Sequence, residues 1–331
     1  MKLPGSAGIP AGESRSGPNP TSPAGMPALP GVSLLFSSIV VPVQARAIYR
    51  QTLFSISRFV LGVITSDQNQ FIQKARKVLT GQRRAYPNLC AVEGVKVAQE
   101  ALDADVAFDL VLFSEVLAAN PQGLVLLQEL ERRAVQHLKI SPPLMVSLSE
   151  VAAHQGVLAL VHRPLWPDVA TGAISNPWLV MLIGIQDPGN AGTILRTCEA
   201  VGITEVLACQ GTVDLFNAKC IRASMGSVFR VPLQAHWSLE RTLAFLKRNS
   251  IRLIGAGARQ GTPYAEADLT GPLALAFGGE GGGLPKEVRR AADELVCIPM
   301  AAPVDSLNVA TSAAILLYEA RRQRLSGTRS E

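Results

Sequence analysis

The stretch IGIQDPGNAGTILRTCEAVG, Ile183–Gly202, runs from an apolar strand through Asp-Pro-Gly-Asn-Ala-Gly into a helix that opens with a single arginine, Arg196. Backbone N–H groups at such a strand-to-helix turn favour anions, so phosphate binding is the first chemistry to weigh. The turn carries neither the Lys-Ser/Thr of a phosphate-binding loop nor the glycine spacing of a dinucleotide fingerprint. Cys198 lies beside it, but no histidine or acid is suitably placed in sequence to activate a thiol, and a small buried helix residue is the simpler reading.

Two other turns bear polar groups that could do chemistry. In FGGEGGGLP, from Phe277, Glu280 sits among glycines, where packing has little use for a carboxylate and a solvated turn acid is the plain alternative. In IPMAAPVDSLNVATSAAILLYEARRQR, from Ile298, Ser306 and Asn308 precede a long apolar helix that either could cap.

The elements that must position these residues are legible from Thr65 onward. Ser66-Asp67 is expected to cap a helix with Phe71, Ala75 and Val78 on one face and Lys74, Arg76, Lys77, Arg83 and Arg84 nearby, the most basic segment of the chain. LCAVEG (strand), VKVAQEAL (helix), FDLVLFS (strand) and GLVLLQELERRA (helix) then alternate, which predicts a small α/β domain over residues 65–162. Pro, Gly and Asn breakers make 163–177 a linker.

A second α/β domain is expected over 178–326. Its strands are predicted at Trp178–Ile185, Glu205–Ala208, Val228–Leu233, Arg252–Ala256 and Leu273–Phe277, and its helices at Gly192–Val201, Phe216–Ser224, Leu239–Arg248 and Asn308–Arg324. Strands apolar on both faces imply a parallel sheet covered on both sides, with ligands at the carboxyl ends of its strands.

At 331 residues and 48% apolar, the chain is long enough for two cores, and its net charge of +5 is mildly basic. Five cysteines without a CxxC pair, and histidines distant from them, indicate reduced thiols in a cytoplasmic protein and no metal site. Residues 1–60 contrast with the rest: near-repeats such as AGIPAG and AGMPALPG fall in a Pro/Gly/Ser-rich tract that cannot bury a core. The segment reads as a disordered or spurious extension, with Leu34–Val43 and the following ARA too far from the start for a signal peptide.

The three turns, in their order and spacing, resemble the motifs of the SpoU/TrmH family of RNA ribose 2′-O-methyltransferases, within the SPOUT class that folds with a deep trefoil knot. The resemblance extends from about Ser66 to Arg324, and AVEGVKVAQEAL is similar to the Glu-Gly pattern of the family's L30e-like substrate-binding domain. It implies a knotted α/β catalytic domain, a homodimer and S-adenosylmethionine as cofactor, with Gly278, Gly279, Ile298, Met300 and Leu307 lining its pocket. It also implies that Asn190, Arg196, Glu280, Ser306 and Asn308 form the catalytic site. A guanidinium gives up its proton reluctantly, so Arg196 is read as a phosphate anchor and alkoxide stabiliser in preference to a base, a surface pairing with Glu199 being the bland alternative. Lys74, Lys77, Arg83, Arg84 and Arg222 are the expected RNA contacts, with ribosomal RNA favoured over transfer RNA and the target base left open.

Two other functions compete. LIGAGARQG, from Leu253, follows a predicted strand and suggests a nucleotide-dependent oxidoreductase, but its glycines miss the required spacing by one. A non-catalytic RNA-binding module of the same fold is opposed by the presence of all five polar site residues.

Overall fold

The computed structural model describes residues 62–81, 85–167, 176–257 and 261–327. The expected extension 1–60, Arg83, Arg84 and most of the expected linker lie outside the described residues. Among those described, no helix is long and apolar enough to cross a membrane.

The chain opens with helix α1, Gln70–Leu79, capped by Asn69, whose side chain accepts the Phe71 N–H at 2.9 Å. The cap thus lies two residues beyond the expected Ser66-Asp67, because Asp67 instead pairs with Arg76 at 2.7 Å. There follow β1 (Leu89–Glu93), α2 (Val95–Asp103), β2 (Phe108–Phe113), α3 (Glu115–Ala118), α4 (Pro121–Arg132), β3 (His137–Lys139), α5 (Pro142–Leu148) and β4 (Val157–His162). The four strands form one sheet in the order β1-β4-β2-β3, with β4 antiparallel to both its neighbours. Leu126 and Leu127 of α4 pack with α2 on one face, and Ile72 and Ala75 of α1 pack with Leu144 and Met145 of α5 on the other.

The remainder comprises β5 (Trp178–Ile183), α6 (Pro188–Val201), β6 (Glu205–Cys209), α7 (Ala218–Ser224), β7 (Leu233–Trp237), α8 (Leu239–Arg248), β8 (Arg252–Gly257), β9 (Thr262–Pro263), β10 (Leu273–Gly278), α9 (Lys286–Ala291), β11 (Glu294–Cys297) and α10 (Val309–Gly327). Seven strands, every pair parallel, lie in the order β7-β6-β5-β10-β8-β11-β9. Strand β5 shows why its sequence is apolar without interruption. Trp178, Val180 and Leu182 face the layer containing α6, α7 and α10, while Leu179, Met181 and Ile183 face α8 and α9.

Two expectations change here. The apolar run from Val228 to Leu233 is not one strand: Met225 (φ +49°) and Gly226 (φ +83°) turn the chain, Ser227–Phe229 forms a short 3-10 helix, and the strand begins at Leu233. Val228 and Phe229 are buried in the turn, so burial makes it look like a strand in sequence. Helix α6 starts at Pro188, four residues before the expected Gly192, since proline is suited to the first helical turn and Asp187 caps it.

The two sheets share a continuous apolar core that runs from Val92 and Ala98 to Cys198 and Phe229. Three arginines reinforce the contact. Arg163 bonds Asp214 at 3.0 Å and lies over the Phe216 ring. Arg222 meets buried Glu93 at 3.2 Å and Glu150 at 3.5 Å. Arg230 joins Glu100 of α2, at 2.9 Å, to Glu199 of α6. Arg222, expected at an RNA surface, is therefore spent on holding the sheets together.

Candidate functional site

Strands β5, β8, β10 and β11 end on the same edge of the parallel sheet, and the polar turns follow them. After β5, Asp187 accepts the Asn190 N–H at 2.9 Å, capping α6, and also bonds Lys219 at 2.9 Å. The Lys219 ammonium, helped by that N–H, holds the Asp187 carboxyl below the usual range. This cap fixes Asn190 on the first turn of α6, beside the ends of β10 and α10.

Asn190 then joins the other two turns. Its Nδ2 donates to Glu280 Oε1, and its Oδ1 accepts from Asn308 Nδ2 at 3.0 Å. The Asn308 oxygen, turned the other way, accepts the Ala310 N–H at 2.8 Å and caps α10. Each amide is thereby oriented by the partners of both its ends. Capping, expected of Ser306 as readily as of Asn308, falls to Asn308, and Ser306 faces the adjoining cleft.

That cleft has a volume of about 930 Å³. The expected Gly278, Gly279, Glu280, Ile298, Met300, Ser306, Leu307 and Asn308 all line it. Two of the glycines answer to the protein's own backbone. A Cβ on Gly278 would stand 2.2 Å from the Gly283 carbonyl, and one on Gly279 would stand 2.2 Å from that of Gly184. The glycine loop folds back on itself and against the end of β5, so neither position has room for a side chain. Gly281, Gly282 and Gly283, by contrast, face open space.

Arg196 lies on the exposed side of α6, outside the cleft lining, and makes no hydrogen bond or ion pair among the described residues. Pairing with Glu199 is ruled out because Arg230 takes that carboxylate, which it holds below its usual range. Cys198, two residues further along on the inner face, is fully buried, and burial pushes its thiol far up. Lys77 is exposed on α1, whereas Lys74 bonds Asp109 at 2.8 Å and lies over Tyr86.

Sequence reasoning passed over some of the lining. Ala256 and Gly257 belong to LIGAGARQG, whose strand does end at the cleft although its glycines miss the dinucleotide spacing. Ser312 and Leu316 fall in the helical part of the third motif without having been singled out, and Arg289 sits on α9 outside any motif, so that only the fold brings it to the cleft.

Residues 177–318, which contain all three turns, match the SpoU rRNA Methylase family. The 23S rRNA (guanosine(2553)-2′-O)-methyltransferase RlmP of Bacillus subtilis is 30% identical over 259 residues, covering 78% of this chain and 98% of RlmP. The chain belongs to the SpoU family. The 23S rRNA (guanosine-2′-O-)-methyltransferase RlmB of Escherichia coli K12 is 35% identical over 53% of this chain and 74% of its own length. Among solved structures, the AdoMet-bound rRNA methyltransferase of Sinorhizobium meliloti superposes with a TM-score of 0.69 at 27% identity, covering 80% of this chain and 98% of that one.

Proposed function

We infer that this protein methylates a ribose 2′-hydroxyl of structured RNA, ribosomal RNA in preference to transfer RNA, using S-adenosylmethionine. The observation that carries the reading is the linkage of all three family turns at one cleft through Glu280, Asn190 and Asn308. The lining suits such a cofactor. Ile298, Met300, Leu307 and Leu316 offer apolar walls for a base, the open glycines offer backbone groups to a ribose, and Glu280 offers a carboxylate toward a cation. S-adenosylmethionine bound there supplies an electrophilic methyl group on a sulfonium sulfur.

The chain's own residues then have the tasks of positioning and charge stabilisation. Asn190 and Asn308 hold Glu280 and the start of α10 in register. Arg196, unpaired and always charged, anchors a phosphate beside the target ribose and stabilises the negative charge that develops on its 2′-oxygen. The sheet of β1–β4 serves as an L30e-like RNA-binding domain, spanning 65–162, attached to a catalytic domain over 178–326. We further propose that the catalytic domain is knotted, that the protein is a cytoplasmic homodimer, and that exposed Tyr318 of α10 lies in the dimer contact.

Ribose 2′-O-methylation mapped across total RNA, from cells with and without the gene, tests the reading. Loss of one ribosomal mark is expected. A lost transfer RNA mark would redirect the substrate, and the survival of every ribose mark would overturn the enzyme.

A further inference from the structure

Among the described residues lining the cleft, Arg289 is the one cation and Glu280 the one anion. Arg289 stands on α9, directly after the glycine loop that forms one wall. Its Nε donates to the Leu284 carbonyl at 2.9 Å, and it makes no ion pair among the described residues. That single bond ties the guanidinium to the end of the glycine loop and leaves both Nη groups available. A guanidinium held by Nε presents its remaining N–H groups as a planar fork, the shape that grips a carboxylate with two parallel hydrogen bonds.

We propose that Arg289 is a cofactor-binding residue that pairs with the α-carboxylate of the methionyl tail of S-adenosylmethionine. This rests on the methyltransferase reading above and adds to it the group that fixes the amino-acid end of the cofactor. A carboxylate entering a cleft walled by glycine backbone and by Ile298, Leu307 and Leu316 loses water, and its charge needs a partner. Arg289 gives it the opposite charge. An RNA phosphate is the less suitable occupant. Arg196 stands bare on the outer face of α6, outside the cleft lining, whereas Arg289, also exposed, lines the cleft and is tethered to Leu284.

The test compares two nucleosides that differ in the proposed contact. S-adenosylhomocysteine has the α-carboxylate, while 5′-methylthioadenosine keeps the adenosine and the sulfur and lacks the whole amino-acid end. Dissociation constants are measured by calorimetry on the full chain for wild type, Arg289→Ala, Arg289→Lys and, as a neighbouring exposed cation outside the cleft lining, Arg290→Ala. Arg289→Ala is expected to weaken S-adenosylhomocysteine about tenfold or more, as loss of a charge-assisted bond does, and to leave methylthioadenosine within about twofold. Arg289→Lys should restore part of the loss, and Arg290→Ala should change neither constant.

If Arg289→Ala weakens both nucleosides equally, the arginine only braces the loop through Leu284 and the inference falls. It falls too if the variant lowers RNA affinity while the ratio of the two nucleoside constants stays at the wild-type value. Failure of wild type to bind either nucleoside would overturn the methyltransferase reading as well, so the two failures are separable.

Discussion

Because Arg230 occupies the Glu199 carboxylate, Arg196 reaches solvent uncompensated on α6, further along the helix from Asn190. A charge left bare beside a polar cleft is suited to the acceptor and unneeded for the fold. Arg196→Ala is therefore expected to lower single-turnover methyl transfer by about 10²–10³-fold, the usual effect of removing one group that stabilises developing charge, with S-adenosylhomocysteine affinity unchanged. An equal loss of cofactor affinity would move Arg196 to the other side of the site. The cysteines give a second test at this scale. Burial pushes the Cys90 and Cys220 thiols up to about 12, and raises those of Cys198 and Cys209. Iodoacetamide at pH 7.5 should then label only half-exposed Cys297 in the native protein, as counted by mass spectrometry, and all five cysteines after denaturation. Asn190, Arg196, Glu280 and Asn308 could be named from the sequence because the stretches that hold them resemble family motifs. Arg289 could not, because nothing about an arginine in KEVRRA signals that α9 folds back along a cleft.

At the scale of elements, the strongest new contact is the clamp of Arg230 between α2 and α6. Both Glu199 and Arg230 are about one-third exposed, so solvent weakens the pair, and Arg230→Ala is expected to cost about 1–2 kcal/mol of stability. Its pH dependence has a defined sign. Hydrogen bonding from Arg230 holds the folded-state Glu199 carboxyl below its ordinary 4.5, so the stabilisation is complete above that value and disappears as the pH falls through the lower, folded value. Urea midpoints of wild type and variant, measured from pH 7 downward, should keep a constant difference down to Glu199's ordinary 4.5 and draw together as the pH falls further. A difference that stays constant below that value would show that the variant acts through packing. Most elements here were legible from the apolar pattern, an unbroken run in β5 and helical periodicity in α8, whose Leu239–Arg248 bounds agree with the expected ones. Where burial came without regular structure, at Val228 and Phe229, the same apolar signal misled. The two-residue β9 and four-residue β11 have too few residues for any period to register. Arg222 looked like an RNA contact because a basic residue near a turn says nothing about which acids a distant strand and helix will bring to it.

For the whole molecule, the open matter is how RNA reaches from the N-terminal sheet to the cleft. Composition suggested a basic first helix, and the fold reduces that surface by pairing. Lys74 is spent on Asp109 and Arg76 on Asp67, which leaves Lys77 as the exposed basic residue of α1 without an ion pair among the described residues. If α1 faces RNA, Lys77 meets a phosphate and releases its counterion on binding. Lys77→Ala should then weaken RNA binding and reduce the slope of log affinity against log salt by about 1, one phosphate contact, with no effect on S-adenosylhomocysteine affinity. Lys74→Ala is a control of a different kind: it breaks the bond to Asp109 and should lower thermal stability without changing that slope. Filter-binding titrations of both variants over a range of salt decide the matter. A slope unchanged in Lys77→Ala, or reduced as much in Lys74→Ala, would mean that the RNA approaches over another face and that α1 serves only to cover its sheet.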